Sequence, residues 1–190
     1  MKKANKTELK KKELKKQNYK WIMQITTLAF IISFCFSFLS ETFIPKVGLI
    51  LGIIVLVIVV LIGIIFDMIG VAVTSADEAP FHSMSARKVK GANVAVTFKK
   101  NADRVSSFCN DVIGDICGII SGSAGVIIAA SLSKTLNINI FIVTLIVTAM
   151  IAALTIGGKA LGKSIAINKS NYILYEFAKI ISNFYKVKNK

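Results

Sequence analysis

Four apolar stretches, residues 21–44, 47–73, 112–132 and 138–156, leave this chain few folds to choose from. A helix of about 20 residues, rising about 1.5 Å per residue, crosses roughly 30 Å of hydrocarbon, and all four stretches qualify. The first carries Gln24 and two Thr, and the second is over-long for a single crossing. The charges then sort themselves around the spans. Nine Lys lie in residues 1–20. Arg87, Lys88, Lys90, Lys99, Lys100 and Arg104 lie between the second and third spans. Lys159, Lys163, Lys169, Lys179, Lys186, Lys188 and Lys190 follow the fourth. Only Lys46 and Lys134 remain for the two short loops on the other side, so 22 of the 24 basic residues share one face of the membrane. This positive-inside asymmetry predicts an all-α integral membrane protein, multi-pass in the cytoplasmic membrane, with both termini cytoplasmic.

Composition closes off other classes. At 54% hydrophobic residues and a mean hydropathy of +0.67, a soluble domain is excluded. The net charge of +14 has a sufficient source in topology and in attraction to an anionic inner leaflet, so nucleic acid is not expected as a partner. Cys35, Cys109 and Cys117 have no disulfide or metal spacing and read as small apolar fillers. The single His82 leaves no zinc or copper ligand set. Walker loop, dinucleotide glycine fingerprint and nucleophile elbow are all missing from the sequence, so an enzyme is not expected. The first 44 residues resemble a signal peptide. Without a small-x-small pattern around residues 38–40, they read as an uncleaved anchor.

Residues 1–20 read as a basic cytoplasmic arm and 21–46 as an N-terminal transmembrane anchor, with Pro45 in the turn that follows. Residues 133–137 join the third and fourth spans. The inner loop, about 74–104, holds Pro80, a Ser-rich turn at 83–85 and the basic stretch 86–100, and short helices near the membrane surface are expected there. At the C-terminus, Ile173, Phe177, Ile180, Ile181 and Phe184 fall at helical spacing within 168–190. They predict an amphipathic helix, either an interfacial anchor or a coupling element for a partner.

Polar residues at membrane depth are the functional candidates, because a charge in hydrocarbon costs about 2.5–3.5 kcal/mol even on insertion scales. Asp67 interrupts the second span. Ser75, Asp77 and Glu78 end it, and Asn110, Asp111 and Asp115 open the third. Asp111 and Asp115 share one helix face, with Gly114, Gly118 and Gly122 continuing nearly the same face as a stripe for close helix packing. Two carboxylates at that spacing repel unless a cation or a basic side chain lies between them, so the pair reads as a cation site or as a salt bridge to Lys or Arg. Carboxylate, hydroxyl and amide oxygens suit hard ions such as Mg²⁺, Ca²⁺ or Na⁺.

The run Thr74-Ser75-Ala76-Asp77-Glu78-Ala79-Pro80-Phe81-His82-Ser83-Met84 resembles the Ser-Ala-x-Glu-Thr-Ala-Leu-x-Ser-Leu segment of the CorB/CorC and cyclin M (CNNM) transmembrane domain. Ser75, Ala76, Glu78 and Ser83 match; Ala79-Pro80 departs. Asn101-Ala102-Asp103-Arg104 is similar to the family's Asn-Pro-Asp-Arg entry into the next helix. Cys109-Asn110-Asp111 lies near its Gly-Asn pair, about two residues out of register. Gly158-Lys159-Ala160-Leu161-Gly162-Lys163 resembles Gly-Glu-x-x-Pro-Lys, with Lys159 in place of the Glu and Gly162 in place of the Pro. The resemblance covers residues 47–167. It implies a dimeric magnesium transporter, exporting Mg²⁺ against Na⁺, here without the CBS-pair domain. Carried over by residue, it keeps Ser75 and Asn110 as neutral ligands, loses a hydroxyl at Val71, and loses the Glu at Lys159.

The sequence therefore leads to two expectations. In the first, the chain moves a divalent cation, Mg²⁺ above others and with Na⁺ as the candidate coupling ion. Ser75, Glu78, Asn110, Asp111 and Asp115 are then the metal site, and a homodimer sits in the lipid bilayer. In the second, it is a non-transporting scaffold or regulatory subunit with a separate partner. Its cation site is then filled by Lys159 paired with Glu78, Asp111 or Asp115.

Overall fold

The computed structural model describes residues 2–43, 46 and 48–183, with side chains from residue 19 onward. The expected turn at Pro45, the position of Phe184 and the last three Lys lie outside the described residues. Among the described residues the chain is all-α, and four helices are long and apolar enough to cross a membrane. α1 spans Lys2–Phe43, α2 Leu49–Ser75, α3 Ala79–Ala86, α4 Ala92–Lys100 and α5 Ala102–Ser107. A π-helical segment, Phe108–Gly114, leads into α6, Asp115–Leu136; α7 is Ile140–Asn168 and α8 is Ser170–Ile181. The basic arm and the first span are thus one continuous helix.

α2 is rich in Ile and Val, which are mediocre helix formers in water. In hydrocarbon the preference is overridden, since every N–H must find its carbonyl within the segment. α2 stops where Ala76 turns to an extended conformation, ψ 150°, and Pro80 starts α3 in its first turn. The carbonyls left over at its end are met by Lys99, whose Nζ donates to Thr74 O at 2.8 Å and Val73 O at 3.3 Å. At the other end of the bundle, Asn137 takes a left-handed cap at φ 54°. Asn139 caps α7 by accepting from the Phe141 N–H at 2.9 Å, and the Ser133 hydroxyl donates to Ile138 O at 2.7 Å.

α2 sits at the centre, packed against α5, the π segment, α6, α7 and α8, while α1 leans on α6. Two apolar clusters hold this arrangement. Leu56, Ala124, Ile128 and Ile151 join α2, α6 and α7 near the loop end. At the other end, α3, α4 and α8 gather round the last turns of α2, burying Val73, Phe81, Val94, Ala95, Leu174 and Ala178. Phe177 lies edge-on to Phe66 at 6.4 Å and against Phe98 at 5.6 Å. The backbones of α4 and α8 touch where Gly91 meets Lys179. A Cβ on Gly91 would fall 2.7 Å from Lys179 Cα, and its φ of 86° favours glycine as well.

Three expectations change. The third span begins at Ala102 rather than at 112, because α5, the π segment and α6 form one uninterrupted column of 35 residues. The 83–85 turn is helix instead: Ser83 donates its hydroxyl back to Pro80 O at 3.2 Å. The chain reverses after it, with Lys88 at φ 57° and Gly91 at φ 86°. The apolar face of α8 is Ile173, Leu174, Phe177, Ala178 and Ile181, turned onto α2 and α4; Ile180 points away and is 57% exposed.

Candidate functional site

Asp67 lies in α2 and Lys159 in α7, each five residues past the midpoint of its helix. At about 1.5 Å per residue, both sit about 7.5 Å beyond the helix centre, inside the roughly 15 Å half-thickness of a hydrocarbon core. Both helices run toward the α3–α4 end, so the two side chains meet at one depth. Lys159 Nζ is 3.4 Å from Asp67 Oδ1, and the side chains are 27% and 21% exposed. An ion pair at such depth answers the cost of either charge alone. Lys159 therefore does pair with a carboxylate, but with Asp67 instead of Glu78, Asp111 or Asp115. Position explains the choice: Glu78 lies beyond the end of α2, and Asp111 and Asp115 are exposed, each one residue past a group that meets the seam, Asn110 and Gly114.

The π segment supplies the third wall. A Cβ on Gly114 would lie 3.5 Å from Lys159 Nζ and 3.7 Å from Asp67 Oδ1, ordinary contact distances that place the ion pair directly beside the π segment. Four residues earlier, Asn110 is pressed onto α2 at Gly70, where a Cβ would fall inside the carboxamide. Its Nδ2 donates to Ser106 Oγ at 3.4 Å. Its Oδ1 is buried and has no hydrogen-bond partner. Gly70 is three residues from Asp67, about 4.5 Å along α2. The orphan amide oxygen and the ion pair thus occupy successive turns of a single seam between α2, the π segment and α7. π-helical turns of this kind are found disproportionately at functional sites.

The five expected site residues separate. Asn110 alone is at the seam. Ser75 is exposed as the last residue of α2. Glu78 is exposed and its Oε1 meets His82 Nε2 at 2.8 Å. Asp111 and Asp115 are exposed and have no ion pair among the described residues. No group of three His, Cys, Asp or Glu that could hold a metal occurs among the described residues. The glycine stripe divides too: Gly114 is at the ion pair, whereas Gly118 and Gly122 face open space. Successive steps of four residues turn the helix by about 40° each.

The sequence marks Asp67 only as an interruption of an apolar run. Its partner is too far along the chain for any local spacing to announce it. No protein-family model, curated protein or solved structure matches this chain.

Proposed function

We propose that the chain transports a divalent cation, Mg²⁺ above others, across the membrane, with the seam between α2, the π segment and α7 as the central site. The observation that carries this reading is the buried, unpartnered Asn110 Oδ1 one turn from Asp67. A neutral amide oxygen beside a carboxylate is a hard-ion donor set, and an ion with so few protein ligands keeps several of its waters. In this reading Lys159 is a tethered cation that holds Asp67 until the transported ion displaces it. Ser75 and Glu78 are hydrophilic groups at the α3 end of the path.

Asp111 and Asp115 support a homodimer. Both are exposed at membrane depth, Asp115 only about 6 Å from the middle of its 35-residue helix. A second copy laid on the open Gly118/Gly122 face screens them from lipid. Na⁺ coupling stays a proposal resting on the CorB/CorC and CNNM resemblance.

Mg²⁺ flux in proteoliposomes, followed by an entrapped magnesium dye with and without a Na⁺ gradient, tests the reading. Asp67→Asn and Asn110→Ala should each lower flux at least about tenfold, the worth of about 1.4 kcal/mol. A folded, inserted wild-type chain that passes no Mg²⁺ under either gradient sinks it. The 3.4 Å Lys159–Asp67 contact favours a second reading, a regulatory or scaffold subunit whose site is permanently filled by its own ammonium. Flux absent in the wild type and gained in Lys159→Glu would support that one.

A further inference from the structure

A polar cleft lies where α4 turns into α5 beside the last turn of α2. Thr74, Lys99, Lys100, Asn101, Asp103 and Arg104 are the polar groups that line it. Several of these are already committed. The Thr74 hydroxyl donates to Val71 O at 2.9 Å and Asn101 Nδ2 to Thr97 O at 2.9 Å. Lys99 Nζ is held by the end carbonyls of α2. Lys100 and Arg104 are exposed, and neither side chain has a hydrogen bond or an ion pair among the described residues. Three cations stand against the single carboxylate of Asp103, so the cleft keeps an excess of positive charge. We propose that it binds the phosphate of an anionic membrane lipid, with Lys100 and Arg104 as the donors.

Depth selects a lipid over a soluble phosphate. Arg104 is the third residue of the 35-residue span, Trp21 the third of the first span, and Thr74 the last but one of the second. The Arg104 guanidinium carbon lies over the Trp21 ring, 5.9 Å from its centroid, so these span ends share one level. Trp gathers at the membrane–water interface, where its ring sits among the headgroups. That is the level of the lipid phosphates. Thr74 is seven residues, about 10 Å, beyond Asp67, so the cleft is separate from the ion-pair seam. A guanidinium held over an aromatic face keeps its edge N–H groups free, and their fork fits two phosphate oxygens. The Lys100 ammonium adds a point charge beside it. Charge balance then sets the headgroup. Phosphatidylglycerol brings one negative charge without a cation, and its glycerol hydroxyls can donate to Asp103. Phosphatidylcholine brings a quaternary ammonium that has no donor for Asp103 and repels Lys100 and Arg104.

Trp21 is the single Trp of the chain, so its emission reports on Arg104 directly. The test replaces phosphatidylcholine stepwise by phosphatidylglycerol in nanodiscs holding the purified full chain, at physiological salt. Trp21 emission should change and then saturate while most of the lipid is still phosphatidylcholine. Lys100→Gln should raise the midpoint about tenfold, the weight of one charge-assisted hydrogen bond. Lys88→Gln removes the same charge from the connection between α3 and α4, outside the cleft, and should move the midpoint less than about twofold in screening salt. Arg104→Gln should abolish the response while circular dichroism shows the helices intact. Emission that drifts in proportion to phosphatidylglycerol without saturating overturns the proposal, and so do equal shifts in Lys88→Gln and Lys100→Gln. Glycerol 3-phosphate that reproduces the response in pure phosphatidylcholine overturns the lipid assignment.

Discussion

Neutralising one partner of the Lys159–Asp67 pair should strand the other charge in hydrocarbon, whereas neutralising both should not. At 3.4 Å and an effective dielectric near 20, the attraction is about 5 kcal/mol. Desolvation of the two groups offsets much of it, and their 27% and 21% exposure tempers both contributions. The cost of a lone charge is then close to the insertion value. Asp67→Asn or Lys159→Gln alone should destabilise the fold by about 2–3 kcal/mol. The double variant should lose about 2 kcal/mol or less, since Asn and Gln can still hydrogen-bond to each other. The interaction energy in the cycle is therefore at least about 2–4 kcal/mol, well above the 0.3–0.5 kcal/mol or so by which independent sites miss additivity. Detergent-driven unfolding of the four purified proteins, followed by circular dichroism at neutral pH, measures it. Additivity within about 0.5 kcal/mol would mean that the pair carries no stability, and the depth argument would fail with it.

Gly70→Ala places a Cβ inside the Asn110 carboxamide and should cost about 1–3 kcal/mol in the same unfolding assay. Adding Asn110→Ala should recover part of that loss, and a Gly70→Ala protein as stable as the wild type would mean the two helices are not in contact there. Gly91→Ala meets the Lys179 backbone at 2.7 Å at a φ of 86°, so it should lift α8 from α4 at a cost of about 1–2 kcal/mol. Proteolysis at residues 169–183 should accelerate in that variant, and unchanged digestion would contradict the packing. Reporter fusions at Lys46 and Lys134 should report a non-cytoplasmic location, because both lie on the sparsely charged side of the layout. A cytoplasmic signal at either position breaks the topology.

The four long helices were legible because hydrocarbon imposes them: apolar length marks the spans. What the sequence hides depends on rotation about a helix axis. Gly114, Gly118 and Gly122 look like one stripe, yet about 40° of drift at each step puts Gly114 beside Lys159 and leaves Gly118 and Gly122 open. Asp111 and Asp115, four apart, likewise share a face and read as a cation site or as a salt bridge, but both face outward. Asn110, next to Asp111, faces inward. Local spacing tells which residues share a face; it does not tell which face meets a neighbour.

The register of α7 ties the two ends of the bundle together. A slip of one residue in this helix moves Lys159 by about 1.5 Å and turns it by about 100°, which takes its ammonium off Asp67. The slip is opposed far from the pair, where Asn137 adopts its left-handed cap, Ser133 holds Ile138 O and Asn139 fixes the Phe141 N–H. Ile151 then locks α7 to α6, since a Cβ on Gly125 would collide with its Cδ1. Further along, Gly158 and Gly162 bring α7 onto Ile64 and Met68 of α2, on either side of the turn that carries Asp67. Lys159 stands between those two glycines. Close approach of the backbones and the meeting of the charges thus have one cause: the small residues that let α7 lie against α2 also bring an ammonium within reach of a carboxylate.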